Sequence, residues 1–132
     1  MRMLLLIGGA WLAIGASAPA PLPLAKPMTA GDRAAGAKAH PQLLAEFGGL
    51  YEGPQAAYVT KVGQKIAMQS GLADTQSAFT VSLLNSSVSN AFAIPGGYVY
   101  VTRQLLALMN DEAELASVMG HEVGHVAARH AQ

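Results

Sequence analysis

The residues best suited to chemistry lie together in the run His121-Glu122-Val123-Gly124-His125. Two histidines four apart on a helix stand one turn above each other on the same side. That spacing aims two imidazole nitrogens at a common point. A borderline-soft, tetrahedral ion such as Zn2+ accepts such donors at about 2.0–2.1 Å. The carboxylate of Glu122 flanks the same point. Zinc acidifies a water, and an adjacent carboxylate takes its proton, which is the division of labour in a metallopeptidase. His121 and His125 are therefore the candidate zinc ligands, and Glu122 is the candidate general base.

A helix has to carry these residues, and its other faces are readable too. With Leu115 set at zero, Met119 and Val126 fall within about 40° and Val123 within about 80°, which predicts a buried stripe. Ala113, Ala116, Ser117, Gly120, Gly124, Ala127 and Ala128 fill an arc of small residues from about 100° to 220°. An interior glycine costs about 1 kcal/mol against alanine, so a neighbour is expected to press closely on that face. Glu114 shares the strip of His121 and His125 but lies about 10.5 Å along the axis from His121, too far to ligate jointly. Asp111-x-x-Glu114 resembles a capping box, with a hydrogen bond from Glu114 to a metal ligand as the alternative. His130 is turned about 140° from His125, towards the core stripe, and is no third ligand.

Upstream elements position this helix. Leu43, Leu44, Phe47 and Leu50 recur at helical spacing until Gly48, Gly49, Gly53 and Pro54 interrupt. Pro54 suits the first turn of a second helix, which Ser70-Gly71 should stop. The run 77–85 alternates Phe79, Val81 and Leu83 with smaller residues and predicts a strand. The run 90–102 predicts two short strands around Pro95-Gly96-Gly97, the second a half-buried strand alternating Tyr98 and Tyr100 with Val99 and Val101. Asn90 to Ile94 reads as a strand closed by Pro95, with Asn90, Ala91, Phe92 and Ala93 along it. One of its edges is expected to be free to take an extended peptide, which makes these four the candidate substrate-binding residues. Thr102 should cap a short helix through Met109, and Asn110 or Asp111 should start the last helix.

Composition narrows the class. Of 132 residues, 52% are hydrophobic and 12% charged, which suits one packed domain. Eight basic residues balance eight acidic ones, so no electrostatic footprint for nucleic acid exists. The absence of cysteine excludes disulfides and thiolate metal sites. Residues 1–18 read as an export signal: Arg2, an apolar run, then Ala16-Ser17-Ala18. Pro19 disfavours cleavage directly before it, so cleavage nearby and retention as a membrane anchor stay open as alternatives. Residues 19–39 read as a Pro/Ala-rich linker, and residues 40–132 as the catalytic region. A periplasmic or cell-envelope location follows.

Two stretches, "NAFAIPGG" (residues 90–97) and "DEAELASVMGHEVGH" (residues 111–125), carry a wider resemblance. From about Leu43 onwards the chain resembles the zinc metallopeptidases of peptidase family M48. Gln104 departs from the glycine usual in such sequences. The resemblance implies an α+β, mainly helical, zincin-like domain with a small β-sheet or hairpin beside the active-site helix. It implies one Zn2+ held by His121, His125 and a glutamate on a later helix, with Glu122 as base. The substrates it implies are unfolded or damaged envelope proteins. No acidic residue upstream sits in a motif that could replace the third ligand. The expectation is therefore a chain truncated before that ligand, whose missing C-terminal region is its first partner. The alternative is a non-catalytic fragment, or a chaperone-like binder that holds extended peptides on the strand near residues 90–95.

Overall fold

The computed structural model describes residues 26–130 of the chain. The expected export signal and residues 19–25 of the expected linker lie outside the described residues. The elements are α1 (Ala30–Glu46), α2 (Pro54–Met68), a 3-10 turn (Gln76–Ala78), β1 (Thr80–Leu84), β2 (Ala91–Ile94), β3 (Tyr98–Thr102), the short α3 (Arg103–Ala107) and α4 (Glu112–His130). The architecture is α+β.

The sheet has three strands in the order β1-β3-β2. β2 and β3 form an antiparallel hairpin in which Phe92 opposes Tyr100 and Ala93 opposes Val99. Pro95 cannot donate to a ladder and ends β2, while Gly96 and Gly97 take φ values of 102° and 88°, a region that side chains rarely adopt. β1 runs parallel to β3, with Val81 opposite Val99 and Leu83 opposite Val101.

Helices α2 and α4 cover one face of this sheet. The core there joins Val59, Val62 and Ala67 of α2 to Val81, Leu83, Val99 and Val101 of the strands and to Leu115, Met119, Val123 and Val126 of α4. Gly63 makes this approach possible. A Cβ on it would stand 2.6 Å from a Val81 methyl and 3.0 Å from the Met119 methyl. The stripe read from the sequence on α4 is the buried stripe.

The other face of the sheet holds the main departures from the sequence reading. Residues 30–39, expected to be linker, belong to α1. A reciprocal cap starts this helix: the Thr29 hydroxyl accepts from the Asp32 N–H at 3.1 Å, and the Asp32 carboxylate accepts from the Thr29 N–H at 2.8 Å. Of the α1 residues only Gly36 is buried, and a Cβ there would meet the Pro95 carbonyl and the Tyr98 ring. The packed unit thus begins near Met28, whose N–H donates to the Leu72 carbonyl at 2.9 Å, and not at residue 40. Because α1 covers the tyrosine side, β3 is buried on both faces and not half-buried: Val99 is 2% exposed and Tyr100 0%.

Other differences are local. Phe47 is the C-cap of α1, and Leu50 lies beyond the helix, bridged to Leu84. The strand expected over 77–85 begins at Thr80, after the 3-10 turn. Thr102 caps α3 as expected, accepting from the Leu105 N–H at 3.2 Å, but α3 ends at Ala107.

The two sheet edges are treated differently. Along β1, Gln64 donates to the Phe79 carbonyl at 3.0 Å, Thr60 to the Val81 carbonyl at 3.2 Å, and the Tyr51 N–H to the Leu83 carbonyl at 2.8 Å. The outward carbonyls of β1 are thus occupied in turn. Among the described residues, no further strand lies on the outer side of β2.

Candidate active site

Helix α4 starts where a cap satisfies its free N–H groups. The Asp111 carboxylate accepts from the Glu114 N–H at 3.0 Å, and the Glu114 carboxylate reaches back to the Asn110 N–H. This is a capping box shifted by one residue, and it occupies Glu114 at the helix start. The alternative, a bond from Glu114 to a metal ligand, is not made.

With the inner stripe buried, the 3.6-residue period turns His121 and His125 outwards, and both are exposed. Their rings meet edge-on, with centroids 4.4 Å apart. The two Nε2 atoms stand 3.0 Å from each other. Two nitrogens sharing a tetrahedral zinc would sit roughly 3.3 Å apart, given bonds of about 2.0–2.1 Å. The pair therefore fits as two ligands of one ion, with the same nitrogen of each ring turned to the shared point. Glu122 is half-buried beside them.

No group of three potential ligands occurs among the described residues. Residues 1–25 contain no His, Cys, Asp or Glu. A catalytic zinc site uses three protein ligands and one open position, and the described residues bring two candidates together.

The small face of α4 is open over part of its length, contrary to the expectation of a closely pressed neighbour. A Cβ at Gly120 would meet an Ile66 methyl at 3.4 Å, ordinary contact, and one at Gly124 would meet nothing within 4 Å. The helix glycines that close approach requires are Gly63 and Gly36, which the angular reading of α4 did not address. A groove of about 480 Å³, lined by Leu105, Leu108, Ser117 and Val118 among others, runs along α4 one turn before His121.

Strand β2 lies beside α4. The structure separates the four substrate-binding candidates into two kinds. The Asn90 carbonyl accepts from the Thr102 N–H at 3.0 Å and its N–H donates to the Thr102 hydroxyl at 3.1 Å. In an antiparallel ladder bonded pairs alternate, so Asn90 and Phe92 spend their backbone groups on β3. The Phe92 ring stacks on Tyr100 with centroids 4.7 Å apart and lies 5.2 Å from Phe47. By the same alternation Ala91 and Ala93 direct their N–H and C=O groups to the free edge.

Known proteins show where such an arrangement recurs. The profile described as Peptidase family M48 matches residues 54–132. The chain is 35% identical over 77 residues to the mitochondrial metalloendopeptidase OMA1 of Schizosaccharomyces pombe, covering 58% of this chain and 22% of that protein. It is 32% identical over 117 residues to the beta-barrel assembly-enhancing protease of Yersinia pestis, covering 89% of this chain and 23% of that one. A third relative, the beta-barrel assembly-enhancing protease of Escherichia coli (strain K12), is 36% identical over 73 residues, 55% of this chain and 15% of its own. The chain thus spans less than a quarter of the length of these curated relatives. The profile match covers well over half of the chain and takes in His121, Glu122 and His125, so this chain belongs to peptidase family M48.

Proposed function

We propose that this chain carries the metal-binding helix and the substrate-holding strand of a zincin-like endopeptidase that cleaves unfolded or damaged proteins in the cell envelope. The observation that supports it best is the Nε2 pair of His121 and His125, 3.0 Å apart on α4. His121 and His125 would hold Zn2+, which supplies Lewis acidity for amide hydrolysis. Glu122, adjacent in sequence and half-buried, takes a proton from the attacking water at its carboxylate and returns it to the leaving amine. Extended substrate adds to the outer side of β2, where Ala91 and Ala93 offer their N–H and C=O groups. The third ligand comes from protein outside residues 26–130. The family and the protease names of the relatives support peptide-bond hydrolysis. The relatives named for β-barrel assembly support the envelope setting. No helix among the described residues is long and apolar enough to cross a membrane.

Zinc content and casein cleavage test this reading, measured for the 132-residue chain and for any longer product of its gene. With two ligands the short chain should bind zinc weakly and turn over nothing. With a third ligand both properties should appear, and Glu122→Gln should then abolish turnover while zinc stays bound. Efficient, chelator-sensitive cleavage by the short chain alone would show that the third ligand lies within it. Peptide binding with no turnover in any form would favour the other reading, a chaperone-like binder, which the free β2 edge also suits.

A further inference from the structure

The face of the sheet away from α4 carries a titratable contact that peptide hydrolysis does not use. Helix α1 docks there through few groups. Gly36 presses on the 95–98 turn, Phe47 meets Phe92, and His40 lies over β3. The His40 Nδ1 and the Tyr100 hydroxyl stand 2.7 Å apart. The imidazole is tilted over Tyr98 with centroids 4.8 Å apart and over Tyr100 at 5.7 Å. Tyr100 is 0% exposed, and His40 is its hydroxyl's hydrogen-bond partner.

We propose that the His40–Tyr100 contact is an acid-released latch, which holds α1 on the sheet when His40 is neutral and frees it when His40 is protonated. The polarity of the bond decides this. Burial first, and then the neighbouring Tyr98 phenol, push Tyr100 up to about 12, so its hydroxyl keeps its proton and donates. Neutral His40 accepts that proton at Nδ1 and carries its own on Nε2. A second ring proton on Nδ1 turns the acceptor into a donor. The bond can then survive only reversed, which leaves the buried Tyr100 O–H without an acceptor. Burial also penalises the cation by desolvation.

The titratable groups facing His40 are Tyr98 and Tyr100 of β3, while β2 presents the apolar Phe92 beside Tyr100. On α1 itself Arg33, Lys38 and Glu46 are exposed. Burial is the cause that holds His40 below its ordinary 6.5. A base whose folded value is depressed binds fewer protons folded than unfolded in that range. The docking energy is therefore complete above 6.5 and is lost as pH falls through the lower folded value. Tyr100 stacks on Phe92 of β2, so release should also loosen the edge proposed to take substrate. That second link rests on the function proposed above, whereas the docking of α1 does not.

Amide hydrogen exchange across α1, corrected for intrinsic rates, tests the docking alone, from about pH 7.5 down to about pH 5.5. In the native chain, protection of α1 should fall by up to about tenfold per pH unit between 6.5 and the lower folded value of His40, and then level off. His40→Asn places an oxygen where Nδ1 stands and cannot titrate, so its α1 should keep a pH-independent protection. This separates His40 from the other histidines of the chain, which the substitution leaves in place. Histidine-labelled NMR of the native chain reads the same point without a variant, since His40 should titrate below 6.5 in step with the loss of protection. If protection falls equally in the native and His40→Asn chains, or if His40 titrates at or above 6.5, the latch is wrong.

Discussion

The two edges of the sheet are built to opposite ends. On β1 each outward carbonyl from Phe79 to Leu83 has a partner, two of them side chains of α2 and one the Tyr51 N–H. On β2 the outward groups of Ala91 and Ala93 face no strand among the described residues. An unpaired edge invites association with any extended chain, and proteins usually blunt it with charge, proline or a cover. This fold spends Thr60, Gln64 and the Gly48-Gly49 turn on closing one edge and leaves open that of β2, the strand beside α4. The contrast gives the open edge a functional cast that an isolated strand would not have.

Substitutions within these edges should break that contrast with effects of very different size. The largest belongs to Phe92→Pro. Phe92 bonds β3 through its backbone and packs between Phe47 and Tyr100. Losing a ladder bond and the aromatic contacts together should cost about 3 kcal/mol or more, read as a lower urea midpoint. Gly48→Ala should come next. Gly48 has a φ of 81° and its Cβ would collide with the Asn85 carbonyl, in the turn that lays Tyr51 against β1. About 1–3 kcal/mol is expected from the strained backbone and the clash, with exchange quickening first at the Tyr51 and Asn85 amides. Thr60→Val keeps shape and removes one donor from the buried Val81, and about 1 kcal/mol is expected from denaturant melts.

The edges also show what could be read from sequence and what could not. The HEVGH run, the stripe of Leu115, Met119, Val123 and Val126, and the Pro95-Gly96-Gly97 turn are local patterns, and local patterns survive in one dimension. The closure of β1 is not local. Thr60 and Gln64 act on strand carbonyls twenty-one and fifteen residues away, and a polar residue on a helix does not announce which carbonyl it will meet. The first half of helix α1, residues 30–39, escaped notice because it docks through Gly36, with no apolar stripe for periodicity to detect. That omission made β3 read as half-buried. The two candidate ligands His121 and His125 were legible because four-residue spacing fixes their side of the helix. A third ligand has no such signature, since it must come from another element.

Ala93→Pro should have the smallest effect on stability and the sharpest effect on function. The Ala93 N–H points away from β3, so proline removes no ladder bond, and edge strands tolerate it. The residue before it, Phe92, is already extended, as a proline requires. A loss under about 1 kcal/mol is expected, close to what surface substitutions give. Any chain that adds to β2 needs that N–H as a donor. In a form of the protease with all its zinc ligands, Ala93→Pro should leave zinc content unchanged and raise KM by roughly tenfold, the worth of about 1.4 kcal/mol in a main-chain bond. Phe92→Pro cannot make this distinction, because it unsettles the hairpin as well as the edge. Unchanged kinetics in Ala93→Pro would mean that substrate does not use the free side of β2, and the open edge would then need another explanation.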